Sequence, residues 1–334
     1  MPINFATGTY VGNGVSDTEI SVGFQPNVVF VANVENGDNL DCRTSTMAAN
    51  TSKDITGVNT IRTDRIRNFT ANGFNVGTQN ATNALNRDYT WVAFQTDDVH
   101  NHVFTYTGDG SDDRVVGSFS FTAGAAMVFG MAAQEVYVAT DSMTAGNSYT
   151  MDATGGPAID AIQALGAGSI TVGTLCNVNL RVYNVIVWET ANKYMKSVSY
   201  TGDAADGRLL PHLLGTTPWL SIIRPASTVD AVWRWRTTFV NDQSTRGEAT
   251  SYAANLIQAV SSTTLNLGTS TGVNASAGSY FTLVLGDGTG GGGGPPGGGG
   301  GPRRPPGSGP PNPPGGGSLL GPVLKKMRFP EKVI

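Results

Sequence analysis

The chain has 334 residues, 39% of them hydrophobic and only 14% charged, with 44 glycines, 17 prolines and a formal net charge of −4. That is enough chain for two or three domains with modest cores, and low charge with abundant Gly, Thr, Ser and Asn favours strands joined by many turns over helices. The first residues lack the basic and apolar segments of a signal peptide, no run approaches the roughly 18 apolar residues of a membrane span, and two cysteines make no disulfide framework or metal spacing. Synthesis in a cytoplasm, no membrane insertion, and ordinary thiols at Cys42 and Cys176 are therefore expected.

In chain order, "TGTYV", "TEISVGF", "NVVFVANV", "LDCRTST", "RIRNFTA", "GFNVG" and "YTWVAFQ" are short alternating or β-branched runs separated by Gly, Asn, Asp or Pro. Seven such runs in fewer than 100 residues predict a β-sandwich. The same landmarks then return. "YVGNGVSDT" at Tyr10 is echoed by "YTGDGSDDR" at Tyr106 and "YTGDAADGR" at Tyr200; "FNVGT" at Phe74 by "ITVGT" and "LNLGT"; "YTWVAF" at Tyr89 by "YNVIVW" and "YFTLVL". Three landmarks in one order, about 95 residues apart, make a tandem repeat.

The fold class expected is all-β: β-sandwich repeats over 3–98, 101–192 and 195–286, each read as an autonomous domain and the three as a rod-like series. Apolar residues in succession, as in "NVIVW", predict a central strand covered on both faces. "AIDAIQAL" from Ala158 reads as a helical turn or two. The Asn-Gly and Asp-Gly pairs of the opening stretch read as tight hairpins. A calcium reading of Asp109, Asp112 and Asp113 lacks the six or more oxygens such a site needs.

From Gly286 the composition changes to a Gly/Pro-rich linker, 287–317, followed by an apolar and basic segment, 318–334. Extended, the linker spans roughly 90 Å. Residues 286–334 carry six basic and two acidic side chains, net +4, against 15 basic and 23 acidic in the repeats, net −8. The final segment reads as a docking peptide, with Leu320, Leu324 and Phe329 as apolar anchors and Lys325, Lys326 and Arg328 meeting acidic groups on a partner. Basic residues so scattered make no nucleic-acid patch.

Catalytic motifs are missing: the sequence holds three histidines and no nucleophile elbow, zinc-protease pair or phosphate loop. His100 and His102, two apart on a strand, are a weak metal candidate; otherwise no cofactor is expected. "VWRWRTTF" alternates Trp233 and Trp235 with Arg234 and Arg236, which reads either as a core face or as an exposed platform for a sugar ring.

The order "FATGTYVGNG", "ISVGFQPNVVFV", "GFNVG", "YTWVAF" in residues 3–98 resembles a repeated β-rich module of tail and fibre-like virion proteins of tailed bacteriophages. Repeats two and three lack "GFQP" and follow by internal homology. The resemblance implies a structural, non-enzymatic virion protein on the particle surface. The expected role is a tail-associated fibre contributing to host adsorption and joined to other virion proteins through its C-terminal peptide. A head or tail decoration protein is the alternative, and a sugar-binding module or depolymerase a more distant one. A host glycan or receptor is the further partner expected, and a homo-oligomer the expected state.

Overall fold

A computed structural model describes residues 3–33, 40–56, 60–153, 155–190, 193–236, 244–246 and 253–288. Repeat one contains β1 (Phe5–Val11), β2 (Thr18–Ser21), β3 (Val28–Asn33), β4 (Asp41–Thr44), β5 (Thr51–Asp54), β6 (Ile61–Thr63), β7 (Ile66–Thr70), β8 (Gly73–Val76), the short helix α1 (Asn80–Asn83) and β9 (Asp88–Phe94). Repeat two contains β10 (Asn101–Thr107), β11 (Arg114–Val116), β12 (Ala123–Gly130), β13 (Val136–Thr140), β14 (Tyr149–Thr150), β15 (Ile162–Leu165), β16 (Ile170–Val172) and β17 (Val182–Glu189). Repeat three contains β18 (Met195–Thr201), β19 (Arg208–Pro211), β20 (Leu220–Pro225), β21 (Val232–Trp235), β22 (Ile257–Val260), β23 (Thr264–Leu267) and β24 (Ser279–Leu285).

Each repeat is a sandwich of one larger and one smaller antiparallel sheet. The larger sheets run β1-β9-β3-β4-β5-β6, β10-β17-β12-β13-β14 and β18-β24-β20-β21; the smaller ones run β2-β8-β7, β11-β16-β15 and β19-β23-β22. Among the described residues, every ladder joins strands of a single repeat. The first and second strands of each repeat pair with different sheets, so the Asn-Gly and Asp-Gly loops are corners between sheets, not hairpins. "AIDAIQAL" supplies β15 and no helix.

Between the two sheets of each sandwich lies its own core. In repeat one this core packs Val29, Val31, Phe74, Val76 and Trp91; in repeats two and three, the corresponding side chains of β12, β16, β17, β20, β23 and β24. The alternate residues of the same central strands point the other way. Val28, Phe30 and Ala32, Ala125, Met127 and Phe129, and Leu220 and Ile222 all enter one further core, shared by the three repeats. Central strands are therefore covered on both faces, which explains apolar successions such as Val28–Ala32 and Val185–Trp188.

Every pair of repeats meets in this shared core. Phe94 lies 6.4 Å from Trp188, Tyr149 lies 5.1 Å from Phe281, and Phe5 lies 5.3 Å from Trp219, ring centre to ring centre. Contacts at two junctions correspond by register: Ser197 on β18 donates to Asp141 at the end of β13, and Thr7 on β1 donates to the carbonyl of Arg236 at the end of β21, at 2.6 Å. The repeats thus close into a ring around a common core. This corrects the expectation of autonomous domains in series: a sandwich taken alone would expose the apolar second face of its larger sheet.

Candidate functional site

The stretch that recurs at Tyr10, Tyr106 and Tyr200 builds the same corner three times. The tyrosine stacks on the tyrosine of the last strand at 5.0, 5.0 and 5.1 Å, and its hydroxyl donates to the carbonyl of Thr82, Cys176 or Val273. Burial raises all three phenols above their ordinary range. A buried asparagine, Asn83, Asn177 or Asn274, then ties the loop down. In repeat two the Asn177 amide donates to Asp109 at 2.6 Å and to the Ser111 carbonyl at 2.8 Å, while its oxygen accepts from the Asp109 N–H at 3.2 Å and from Arg114 at 3.0 Å. Asn274 repeats this set with Asp203, Ala205 and Arg208.

The acidic residues of the corner are thereby used. Asp109 accepts from Ser111 and Asn177, which holds its carboxyl down at about 2, and Asp112 accepts from Gln163 at 2.8 Å. They are turn acceptors and do not converge as calcium ligands would. Sequence reasoning missed the asparagines, although a signal existed: each stands six residues before the tyrosine of its last strand.

The remaining predicted residues fall as follows. His100 donates through Nδ1 to Asp97 at 2.5 Å, faces Glu189 at 3.8 Å and stacks on Tyr194 at 3.6 Å; His102 pairs with Asp98 at 2.7 Å and stacks near Phe104. Each imidazole has its own carboxylate, and among the described residues no three His, Cys, Asp or Glu side chains are grouped to hold a metal. Trp233 and Trp235 are buried in the shared core, Trp235 donating to Thr90 at 2.7 Å, while Arg234 is buried and donates to the Ile257 carbonyl at 3.0 Å. Arg236 is half-buried at the junction of repeats three and one. The exposed-platform reading is corrected, because the indoles fill the space between repeats. Leu320, Leu324, Lys325, Lys326, Arg328 and Phe329 lie outside the described residues.

Sequence reasoning also missed the buried charges. Asp41 and Asp54 stand directly opposite on β4 and β5, both sealed from solvent. Arg65 reaches Asp41 at 2.6 Å and Arg62 reaches Asp54 at 3.2 Å. Burial dominates over the pull of Arg65, and with the charge of Asp54 it raises the Asp41 carboxyl to about 7. Among the described residues, the cations of Lys53 and Arg224 bridge repeats instead. Lys53 donates to the carbonyls of Ala132 and Gln134 at 2.8 and 2.7 Å, and burial brings its ammonium down to about 8. Arg224 donates to Thr150, Asp152 and Gly155 of repeat two and to Pro225, Ser227 and Val229 of its own, and burial lowers it to about 10.

An open recess occurs in repeat two, a cleft of about 360 Å³ between the β13 end and β15, lined in part by Ala139, Met143, Thr144, Asn147, Gln163 and Leu165. Asp141 at its rim accepts from Thr190 at 2.8 Å and from Ser197. Its lining mixes the apolar Ala139, Met143, Ile162 and Leu165 with the polar Thr140, Asp141, Thr144, Asn147 and Gln163. Comparison with family models, with curated proteins and with solved structures returned no match.

Proposed function

We propose that this chain is a structural, non-enzymatic protein of a tailed-bacteriophage particle, displayed on its surface and attached to another virion protein through residues 318–334. The observation that carries the reading is the closed ring: three copies of one sandwich turn their apolar faces on each other, and the buried Lys53 and Arg224 serve as hydrogen-bonded struts between them. The sequence resemblance of residues 3–98 to phage tail and fibre modules supplies the setting, and the Gly/Pro-rich linker with its apolar, basic end supplies a means of attachment.

A decoration role on the head or tail is the second reading, and the ring favours it over a tail fibre. A fibre gains reach from domains placed end to end, whereas three repeats around one core present a threefold-like block of the kind a shell lattice accommodates. Host-receptor or glycan binding belongs to the fibre reading alone. Deletion of 318–334 should leave the repeats folded and soluble but remove the protein from purified particles. Normal incorporation of the truncated chain would sink the docking proposal, and antibody labelling of whole particles would separate tail from head.

A further inference from the structure

One register position separates the middle repeat from its neighbours. Arg43 on β4 stands opposite Val29, Ala139 on β13 opposite Ala126, and Arg234 on β21 opposite Ser221. Those partners face Ala93, Val187 and Val284, each four residues after the tyrosine of its last strand, so the three positions are equivalent. Arg43 is 5% exposed and its guanidinium donates to the carbonyls of Met47 at 3.3 Å, Ala48 at 2.8 Å and Thr51, while lying 5.5 Å from the centre of the Phe69 ring. Arg234 is equally buried. In repeat two the position is Ala139, and the cleft of about 360 Å³ opens beside it.

The surroundings of that cleft keep the form of the filled socket in repeat one. The loop from Thr140 to Tyr149 has the same length as that from Thr44 to Lys53. Its turn bonds, Met143 N–H to Thr140 at 3.0 Å and Asn147 N–H to Thr144 at 2.9 Å, match Met47 to Thr44 and Thr51 to Ala48, both 3.2 Å, and Gly146 takes the left-handed φ of Asn50. The carbonyls that receive Arg43 therefore correspond to those of Met143, Thr144 and Asn147, residues that all border the cleft. Leu165 takes the place of Phe69. Gln163 commits its Nε2 to Asp112 at 2.8 Å and leaves Oε1 buried without a donor among the described residues. The lining sets these polar residues and Asp141 beside the apolar Ala139, Met143, Ile162 and Leu165, a combination that suits a flat cation whose edge donates and whose face packs on apolar groups.

We propose that this cleft binds a guanidinium group, carried by an arginine side chain, in the place that Arg43 fills in repeat one. The preference over lysine follows from geometry: a planar fork spans several carbonyls, whereas an ammonium is a compact, more strongly hydrated point charge. The volume is within the range of small-ligand sites.

Calorimetric titration of the full-length protein with Nα-acetyl-L-arginine amide should give saturable binding at one site, weaker by about tenfold or more for the lysine counterpart. Ala139→Arg supplies the side chain that the other repeats carry, and Ala139→Leu fills the space without donors; both should abolish binding. Arg43→Ala should open a second site, doubling the stoichiometry, and its lost stability should be partly restored by the ligand. A variant with Arg303, Arg304 and Arg328 changed to Lys separates out occupation by the chain's own arginines. No saturable binding to either the wild type or this variant would overturn the proposal. So would equal affinity for the lysine compound, or binding that survives both substitutions at Ala139.

Discussion

At the residue scale the three corners differ where the backbone is most demanding. Gly14 and Gly110 take φ of +68° and +80°, and the third copy asks the same of Ala204, at +58°. A Cβ in that region costs about 1 kcal/mol or more, part of which returns as lower entropy of the unfolded chain. Ala204→Gly is expected to stabilise by about 0.5 kcal/mol and Gly110→Ala to destabilise by about 1 kcal/mol, read as urea midpoints at unchanged m-value. Gly12, Gly108 and Gly202 have a different reason to lack a side chain: a Cβ there would meet the carbonyl of Ala84, Val178 or Ala275. The asparagine that faces each corner matters more than its loop. Asn177→Ala would take away the acceptor of the Asp109 N–H and leave the Ser111 carbonyl without its amide, a loss of about 1–2 kcal/mol measurable in the same titration.

At the element scale the strands were legible and the bulges disguised one of them. All seven runs expected in repeat one are strands, because each alternates or is β-branched; β5 and β6, "TSKD" and "IRT", are polar and short and gave no such signal. The helical reading of "AIDAIQAL" has a physical origin. The pairing of β15 with β16 slips between Ile162 and Ala164, so Gln163 is an extra residue and Ile162 and Leu165, three apart, both pair inward-facing partners. An insertion of one residue turns a period of two into an apparent spacing of three. The same slip recurs at Ile66/Asn68 and Ile257/Ala259. What strand patterns could not announce is the opposed pair Asp41 and Asp54. The folded Asp41 carboxyl, near 7, lies above its unfolded value of 3.8, so the folded state holds the extra proton between those values. Its contribution is greatest below about pH 4 and is lost as pH rises through 7, by up to about 4 kcal/mol. Asp41→Asn should remove this slope; parallel stability profiles for wild type and variant from pH 4 to 8 would refute it.

At the scale of the whole molecule, the question is whether three repeats unfold as three domains or as one. Strand ladders stay within repeats, which alone would allow independent melting. The shared core argues otherwise. Phe94 of repeat one packs 6.4 Å from Trp188 of repeat two and 5.0 Å from Trp219 of repeat three, so one side chain belongs to all three second faces. Exposing those faces singly would place large aromatic surfaces in water, and the buried Lys53 and Arg224 would lose their carbonyl partners on the neighbouring repeat. Phe94→Ala should therefore cost about 3–5 kcal/mol, and the cost should be felt everywhere. Hydrogen exchange is the discriminating measurement, since it reads each strand separately. Protection should fall together in β3, β12, β17, β20 and β24, with unfolding still a single transition; a fall confined to the strands of repeat one would mean that the repeats are thermodynamically separate and that the ring is only a way of packing them.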